Sequence, residues 1–410
     1  MHAAALVRAL RAAARAAGVS LEVVACGAQG GALSEAGASI IADTGGTSSI
    51  GLAEALPHVV PAYLAQRRAR AALLLRPPDA ACLIDYPGVN VPFGEWLHKA
   101  VSSCRQCYYV PPNEWLLTDR RTPQIVRNTH KLLAVYPGEA SHYAEFGAAV
   151  TSVGHPLADA VASAPSREEA RRAMGAAPGD AIIALVPASR AQELTLVLPP
   201  LAEAAARLRA RVAASAEPGC TCRVVVPLAD ARLKSTLRSA LSRHGLADAM
   251  IVSGRKEALA ALAAADVALC KTGSVNLELA LLGVPQVAAY RVGTATAFIA
   301  RRLLKFRPVH VSLANLILED TAHPEFVQEA ADDAAAIADA AWAQLADGEA
   351  RGATLRAYAR LRAMLGGPGA AKRAADEVLL SALEGYRRRI PRDWLDGGTR
   401  AAEGAASWAA

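Results

Sequence analysis

Val267-Ala268-Leu269-Cys270-Lys271-Thr272-Gly273-Ser274-Val275-Asn276-Leu277-Glu278 reads as a strand, a small polar turn and a helix start in immediate succession. That construction puts a helix N-terminus, with its unpaired backbone N–H groups, at the carboxyl end of a strand, where α/β proteins hold phosphates. The turn Thr272, Gly273 and Ser274 is the candidate phosphate cradle, and Glu278, one turn on, is placed to meet a ribose. A second junction has the same form: Ala181 to Val186 is apolar, Pro187 breaks it, and Ala188-Ser189-Arg190 leads into a helix that carries Glu193. Arg190 adds a fixed positive charge there. Two such junctions in one half of a chain point to a diphosphate held between them, and a nucleotide-sugar is the candidate ligand.

Outward from these junctions the pattern repeats. Strand-like segments fall at Leu21–Ala25, Ala80–Ile84, Cys107–Val110, Leu132–Val135 and Val150–Val153, then at Ala181–Val186, Cys222–Val226, Met250–Val252, Val267–Cys270 and Gln286–Ala289. Helical patterns separate them, among them Gly51–Arg70, Glu139–Phe146, Ala191–Ala213, Ala229–Ser242, Glu257–Ala263 and Ser274–Leu282. Alternation of this kind predicts parallel sheets in doubly wound α/β domains. The apolar pattern lapses from Ala164 to Asp180, so two Rossmann-like domains facing a cleft are expected, residues 1–163 and 164–355, followed by C-terminal helices over 356–385. Residues 386–410 lack apolar periodicity and read as a disordered tail.

Composition agrees with that class. The 410 residues are 53% apolar but only 5% aromatic, which suits Ala-rich helices and short aliphatic strands. The net charge of +6 is spread along the chain without a basic stripe interleaved with aromatics, so a solvated Arg-rich surface is favoured and no nucleic-acid partner is expected. No apolar run reaches the roughly 18 residues of a spanning helix. Arg301, Arg302, Lys305 and Arg307 accompany Phe298, Leu303, Leu304 and Phe306 on a predicted helix over Ala295–Phe306, a mixture that fits an anionic membrane surface as well as plain solvent. The first residues, Arg-rich and without acid before Glu22, fit a transit peptide by composition, but Leu6, Val7 and Leu10 share one helical face and an ordinary helix is favoured.

Seven cysteines make an odd set, and the pairs Cys104/Cys107 and Cys220/Cys222 lie far apart without a histidine cluster, so buried thiols are favoured over metal or redox chemistry. Asp85, in Leu83-Ile84-Asp85-Tyr86-Pro87-Gly88-Val89-Asn90, emerges at a strand end, where it could act as a general base or cap the turn through an Asx bond. His155 follows the strand at Val150–Val153, and Asn315 lies in the loop Val311–Leu316. For both, a structural role is the default reading. Gly27-Ala28-Gln29-Gly30-Gly31 has the wrong spacing for a dinucleotide loop and reads as a turn.

Taken in order, Gly51–Leu56, Ile84–Asn90, Tyr109–Trp115, Val153–Asp159, Pro187–Glu193, Thr272–Glu278, Val284–Arg291 and Ser312–Leu316 resemble the lipid-A-disaccharide synthases, two-domain glycosyltransferases of the GT-B type. The resemblance runs from about His2 to about Leu383 and is nearest to the variant of cyanobacteria and photosynthetic eukaryotes. It implies transfer of a sugar from UDP-2,3-diacylglucosamine to 2,3-diacylglucosamine 1-phosphate, with inversion and without metal or other cofactor. It further implies Asp85 as the base for the acceptor 6-hydroxyl, with Asn90 and His155 on the acceptor side or at the hinge. Ser189, Arg190, Glu193, Thr272, Gly273, Ser274, Glu278 and Asn315 fall to the UDP-sugar, and Arg301, Arg302, Lys305 and Arg307 to the membrane.

The sequence departs from the family at three places. The usual first strand and its Ser-Gly-Asp loop do not precede the helix beginning at Ala3, which points to a truncated gene model or a silent protein. Leu117 stands where many members carry an aromatic, and Gly88 replaces a common acid. The competing expectations are a catalytically silent nucleotide-sugar-binding or scaffold protein, an enzyme with another glycolipid acceptor, and a UDP-sugar epimerase. A homodimer is compatible with all of them. A bacterial member belongs on the cytoplasmic face of the inner membrane, a eukaryotic one in mitochondrion or plastid.

Overall fold

The computed structural model describes residues 2–44, 52–117, 119–187, 191–215, 219–228, 230–293 and 309–389; for residues 52–59, 117 and 191–193 it describes the backbone alone. The chain forms two compact units, Met1–Pro156 with Gly369–Ala410, and Leu157–Pro368. The second unit thus begins at Leu157, earlier than the break expected at residue 163, and the last helix belongs with the first unit.

The second unit is built on six parallel strands: β7 (Ala181–Val186), β8 (Cys222–Leu228), β9 (Met250–Ser253), β10 (Val267–Lys271), β11 (Gln286–Tyr290) and β12 (Glu325–Val327). Their order across the sheet is β12-β11-β10-β7-β8-β9. The chain therefore winds outward from β7 to β9, returns to lay β10 beside β7, and winds outward the other way. Alternate residues feed opposite cores. Ile183, Leu185, Val224, Val226, Val267 and Leu269 pack on one face, while Ile182, Ala184, Val186, Val225, Ala268 and Cys270 pack on the other. A sheet covered on both faces needs strands that are apolar at every position, and this is why these runs lack alternation. Each fully buried Leu or Ile contributes about 1.5–3 kcal/mol.

Polar anchors fix the entry to this sheet. The buried Asp180 carboxylate accepts the N–H groups of Ala177 (2.8 Å) and Thr221 (2.7 Å) and the Thr221 hydroxyl (2.9 Å). Those bonds hold its carboxyl below the usual carboxylate range. The helix expected over Ala191–Ala213 is two helices, Ala191–Leu196 and Leu198–Ser215. Pro199 and Pro200 cannot donate backbone hydrogen bonds, so the first helix cannot continue through them, whereas the first turn of a new helix tolerates both.

The first unit contains a parallel sheet of β3 (Ala80–Ile84), β4 (Arg105–Tyr109), β5 (Lys131–Ala134) and β6 (Val150–Ser152), in that order, and a parallel pair β1 (Val24–Gly27) and β2 (Ser39–Asp43). After residue 332 the chain forms helices Ala334–Ala346, Gly348–Leu365 and Ala370–Arg389. The last of them runs across the first sheet. Its Glu384 pairs with Arg105 (3.0 Å), Glu377 with Lys131 (3.3 Å), and Arg373 donates to the Val153 carbonyl (2.8 Å). It also packs on helix His2–Ala16, whose Leu6, Val7 and Leu10 are buried.

Candidate functional site

All four strands of the first sheet run in one direction, so the residues that follow them gather along one edge. There β3 delivers Asp85, β5 delivers Tyr136, and β6 leads to His155. Asp85, Tyr86 and Val110 have φ values of 48°, 48° and 53°, three of the five described non-glycine residues with positive φ. For a β-branched residue such as Val110 this is strained backbone, costing about 1–3 kcal/mol. Strain concentrated at strand ends is a mark of a functional edge.

The Asp85 backbone is clamped from two sides. Its carbonyl accepts from the Tyr108 hydroxyl (2.9 Å) and from Asn90 Nδ2 (2.7 Å), and Asn90 also reaches the Ile84 carbonyl (2.9 Å). The Asx turn that Asp85 could have formed is absent. Asn90 does the capping, and the Asp85 carboxylate, at an exposed position, makes no hydrogen bond among the described residues. A clamped backbone with a free carboxylate suits a group that must accept a proton from a ligand.

Behind Asp85 lies a buried polar layer in which sequence reasoning singled out His155 but not Tyr136 or Glu139. Tyr136 donates or accepts at His155 Nε2 (3.0 Å), and Trp115 packs on Tyr136 and against Gly138. His155 is only 4% exposed; burial and the nearby His2 push its pKa down to about 3, so the ring is neutral. Glu139 is fully buried. Its Oε2 accepts the Val135 N–H (2.6 Å) and its Oε1 has no partner among the described residues. Burial first, then the charge of Asp85, outweigh the backbone bonds and raise Glu139 to about 8. A repeated motif signals this layer: Tyr86-Pro87-Gly88 and Tyr136-Pro137-Gly138 each follow a strand and open a helix, with proline at its start.

In the second unit, the two strands that lead into the expected junctions are neighbours. Residue Cys270 on β10 stands opposite Val186 on β7, so the carboxyl ends of both strands lie side by side where the strand order reverses. Open α/β sheets bind ligands at that point. The turn is more finished than the sequence suggested. Gly273, with φ 153°, has its N–H bound by Asn276 Oδ1 (2.7 Å), which leaves Ser274 and Val275 as the open end of the helix. Glu278, 5% exposed, pairs with Arg255 at 2.9 Å. Asn315, expected in a loop, lies on helix Leu313–Leu318 with Ser312 as its N-cap; it is fully buried and commits its amide to the loop that follows: Oδ1 accepts from Ala322 N (2.9 Å) and His323 N (3.3 Å), and Nδ2 donates to the His323 carbonyl (3.0 Å). The entry to that helix is fixed by Glu325, whose two oxygens accept from Val311 N (2.9 Å) and Ser312 N (2.8 Å).

Ser189, Arg190, Arg301, Arg302, Lys305 and Arg307 lie outside the described residues, and of Glu193 only the backbone is described. Cys104 and Cys107 are buried thiols, pushed up by burial to about 12 and about 11, and such thiols are poor nucleophiles.

Residues 1–376 match the sequence pattern of the lipid-A-disaccharide synthetase family. The chain belongs to that family. As a member of the family it is a glycosyltransferase. It is 41% identical over 363 residues to the lipid-A-disaccharide synthase of Prochlorococcus marinus (strain MIT 9313), covering 88% of this chain and 90% of that protein. It is 39% identical over 376 residues to the corresponding synthase of Gloeothece citriformis (strain PCC 7424), covering 91% and 94%. The expected kinship with cyanobacterial members is met by both. A UDP-GlcNAc 2-epimerase from Neisseria meningitidis, solved with UDP-GlcNAc, shares the fold with a TM-score of 0.54 at 10% identity, over 92% of this chain and 96% of that one. The architecture is thus common to epimerases and transferases, and sequence kinship assigns this chain to the transferases.

Proposed function

We propose that the protein transfers 2,3-diacylglucosamine from UDP to the 6-hydroxyl of 2,3-diacylglucosamine 1-phosphate, with inversion, releasing UDP. The observation that carries the donor half is the register of Cys270 with Val186, which sets the carboxyl ends of β10 and β7, and with them the start of helix Ser274–Leu282, at the reversal point of the six-stranded sheet. Thr272, Gly273, Ser274 and Glu278 hold the nucleotide in this reading, joined by Ser189, Arg190 and Glu193 from the neighbouring junction. Ser274 and Val275 N–H groups and the Arg190 charge offset the negative charge that develops on the leaving UDP. Asn315 acts from its buried position by tying helix Leu313–Leu318 to the main chain at Ala322 and His323, and not through a free amide.

On the acceptor side, Asp85 takes the proton of the attacking hydroxyl, and inversion follows from attack opposite the departing UDP. Asn90 and Tyr108 hold the Asp85 backbone, and His155 orders Tyr136 behind it. The acylated substrates place the work at a membrane surface. Helix Leu52–Leu75 supports this: Val60, Tyr63, Leu64, Leu74 and Leu75 are exposed, and the exposed Arg67 and Arg68 stand among them. Apolar side chains interleaved with arginines suit the headgroup region of an anionic bilayer. No described helix is long and apolar enough to cross one. Peripheral attachment to the cytoplasmic face of an inner membrane, or within mitochondrion or plastid in a eukaryote, accords with that face.

The test is to incubate the whole chain with both acylated substrates and to follow UDP and the tetraacyl disaccharide 1-phosphate. Formation of both supports the reading. UDP binding without any disaccharide would replace it with a silent nucleotide-sugar-binding protein, and absence of UDP binding would remove the donor site.

A further inference from the structure

Among the described residues, the interior of the second unit holds a continuous polar chain within a largely aliphatic core. It starts at the Gly273 N–H, which donates to Asn276 Oδ1 (2.7 Å). Asn276 Nδ2 donates to Gln286 Oε1 (2.7 Å), and Gln286 Nε2 donates to the Tyr358 hydroxyl oxygen (2.9 Å) and to the Asn276 carbonyl (3.0 Å). The Tyr358 hydroxyl faces His323 Nδ1 at 3.4 Å. The main chain of His323 is in turn held on both sides by the Asn315 amide. Asn276, Gln286, Asn315, His323 and Tyr358 are all 0–1% exposed.

Since the Tyr358 oxygen already accepts from Gln286, its own hydrogen is free to go to His323 Nδ1. His323 must then be neutral with its proton on Nε2, and Nε2 is buried without a partner among the described residues. Burial, aided by His310, pushes the His323 pKa down to about 3, in keeping with a neutral ring. A buried polar network of this kind stabilises only if its geometry is kept, because each broken bond leaves a desolvated group unmatched. An aliphatic filling would be easier to build and would fix less.

The two ends of the chain are the turn Thr272–Ser274 and the start of helix Leu313–Leu318, which carries Asn315. Its middle, on β11 and on helix Gly348–Leu365, lies in the packed interior. We propose that Gln286 and Tyr358 are positioning residues for the nucleotide-diphosphate donor, holding the phosphate turn and the Asn315 helix at a fixed separation. This rests on the donor-site reading given above. One hydrogen-bond chain passes through the segments Thr272–Glu278, Val284–Arg291 and Ser312–Leu316, which are remote in sequence.

Tyr358→Phe removes a single oxygen atom and keeps the ring. In the full-length chain it is expected to weaken UDP binding, measured calorimetrically, by roughly tenfold and to raise the donor KM in step, with kcat at saturating donor little changed. His323→Asn keeps an acceptor near the Nδ1 position and is expected to retain UDP affinity to within about twofold, whereas His323→Leu loses it as Tyr358→Phe does. The Asn/Leu contrast remains readable if Tyr358→Phe fails to fold. A lowered Tm with unchanged UDP affinity in Tyr358→Phe and His323→Leu would overturn the inference and leave the network as support for the fold alone. Failure of the unaltered chain to bind UDP would instead remove the donor site itself, and this inference with it.

Discussion

Glu139 Oε2 accepts the Val135 N–H at 2.6 Å, while Oε1 of the same carboxyl is buried without a partner among the described residues. With its pKa raised from 4.5 to about 8, the folded protein keeps this proton at neutral pH while the unfolded chain gives it up. The unfolded state then binds fewer protons, so stability falls as pH rises from about 4.5 to about 8. Glu139→Gln keeps an acceptor for Val135 and removes the titration. The variant is expected to match the parent near pH 4 and to exceed it by on the order of 2–4 kcal/mol at pH 8. Parallel stability curves in urea titrations from pH 4 to pH 8 would show that Glu139 is not the source of the slope.

His155 and His323 act in the opposite direction. Both are buried and both are pushed down to about 3 from 6.5. The unfolded chain takes up their protons first, so their contribution is complete above about pH 6.5 and is lost progressively as pH falls toward 3. Each steepens the acid limb by up to about 1.4 kcal/mol per pH unit. His155→Asn is expected to lower that slope by about one proton between pH 4 and pH 6, and an unchanged slope would contradict the burial-driven shift.

Gly385 sits where the last helix meets the loop before β3, and a Cβ there would run into the Asp79 carbonyl oxygen. The obstacle is backbone and cannot swing away. Gly385→Ala is expected to destabilise the chain by about 1–3 kcal/mol. Gly348, at the start of helix Gly348–Leu365, has open space around it, and Gly348→Ala is expected to be neutral to within about 0.5 kcal/mol. Equal melting shifts for the two variants would argue against the packing of the last helix on the first sheet.

The fold was legible where burial is two-sided. Ala181–Val186 is bounded alike by sequence and structure, and Val267–Cys270 gains only Lys271, because strands covered on both faces leave an uninterrupted aliphatic run. Ser39–Asp43 and Glu325–Val327 were not legible. The first has Ser, Ala and Asp diluting Ile40 and Ile41. The second is a three-residue edge strand whose Glu325 is given to the 311–312 turn. The junctions at Val186 and Cys270 could be read singly, but that they are neighbours depends on strand order, which local pattern does not carry. Asn276 offered a signal in hindsight, since an amide three residues after the helix-start glycine can close back on it. Gln286 and Tyr358 offered none, as they meet across 72 positions.

Asp85 is proposed as the base of a UDP-dependent sugar transfer, and Asp85→Ala removes that base alone. UDP release and UDP affinity would be measured side by side for the unaltered chain and the variant. Turnover is expected to fall by at least roughly a hundredfold, the scale of general base catalysis, with UDP affinity unchanged. Undiminished turnover in the variant would contradict the assignment of Asp85.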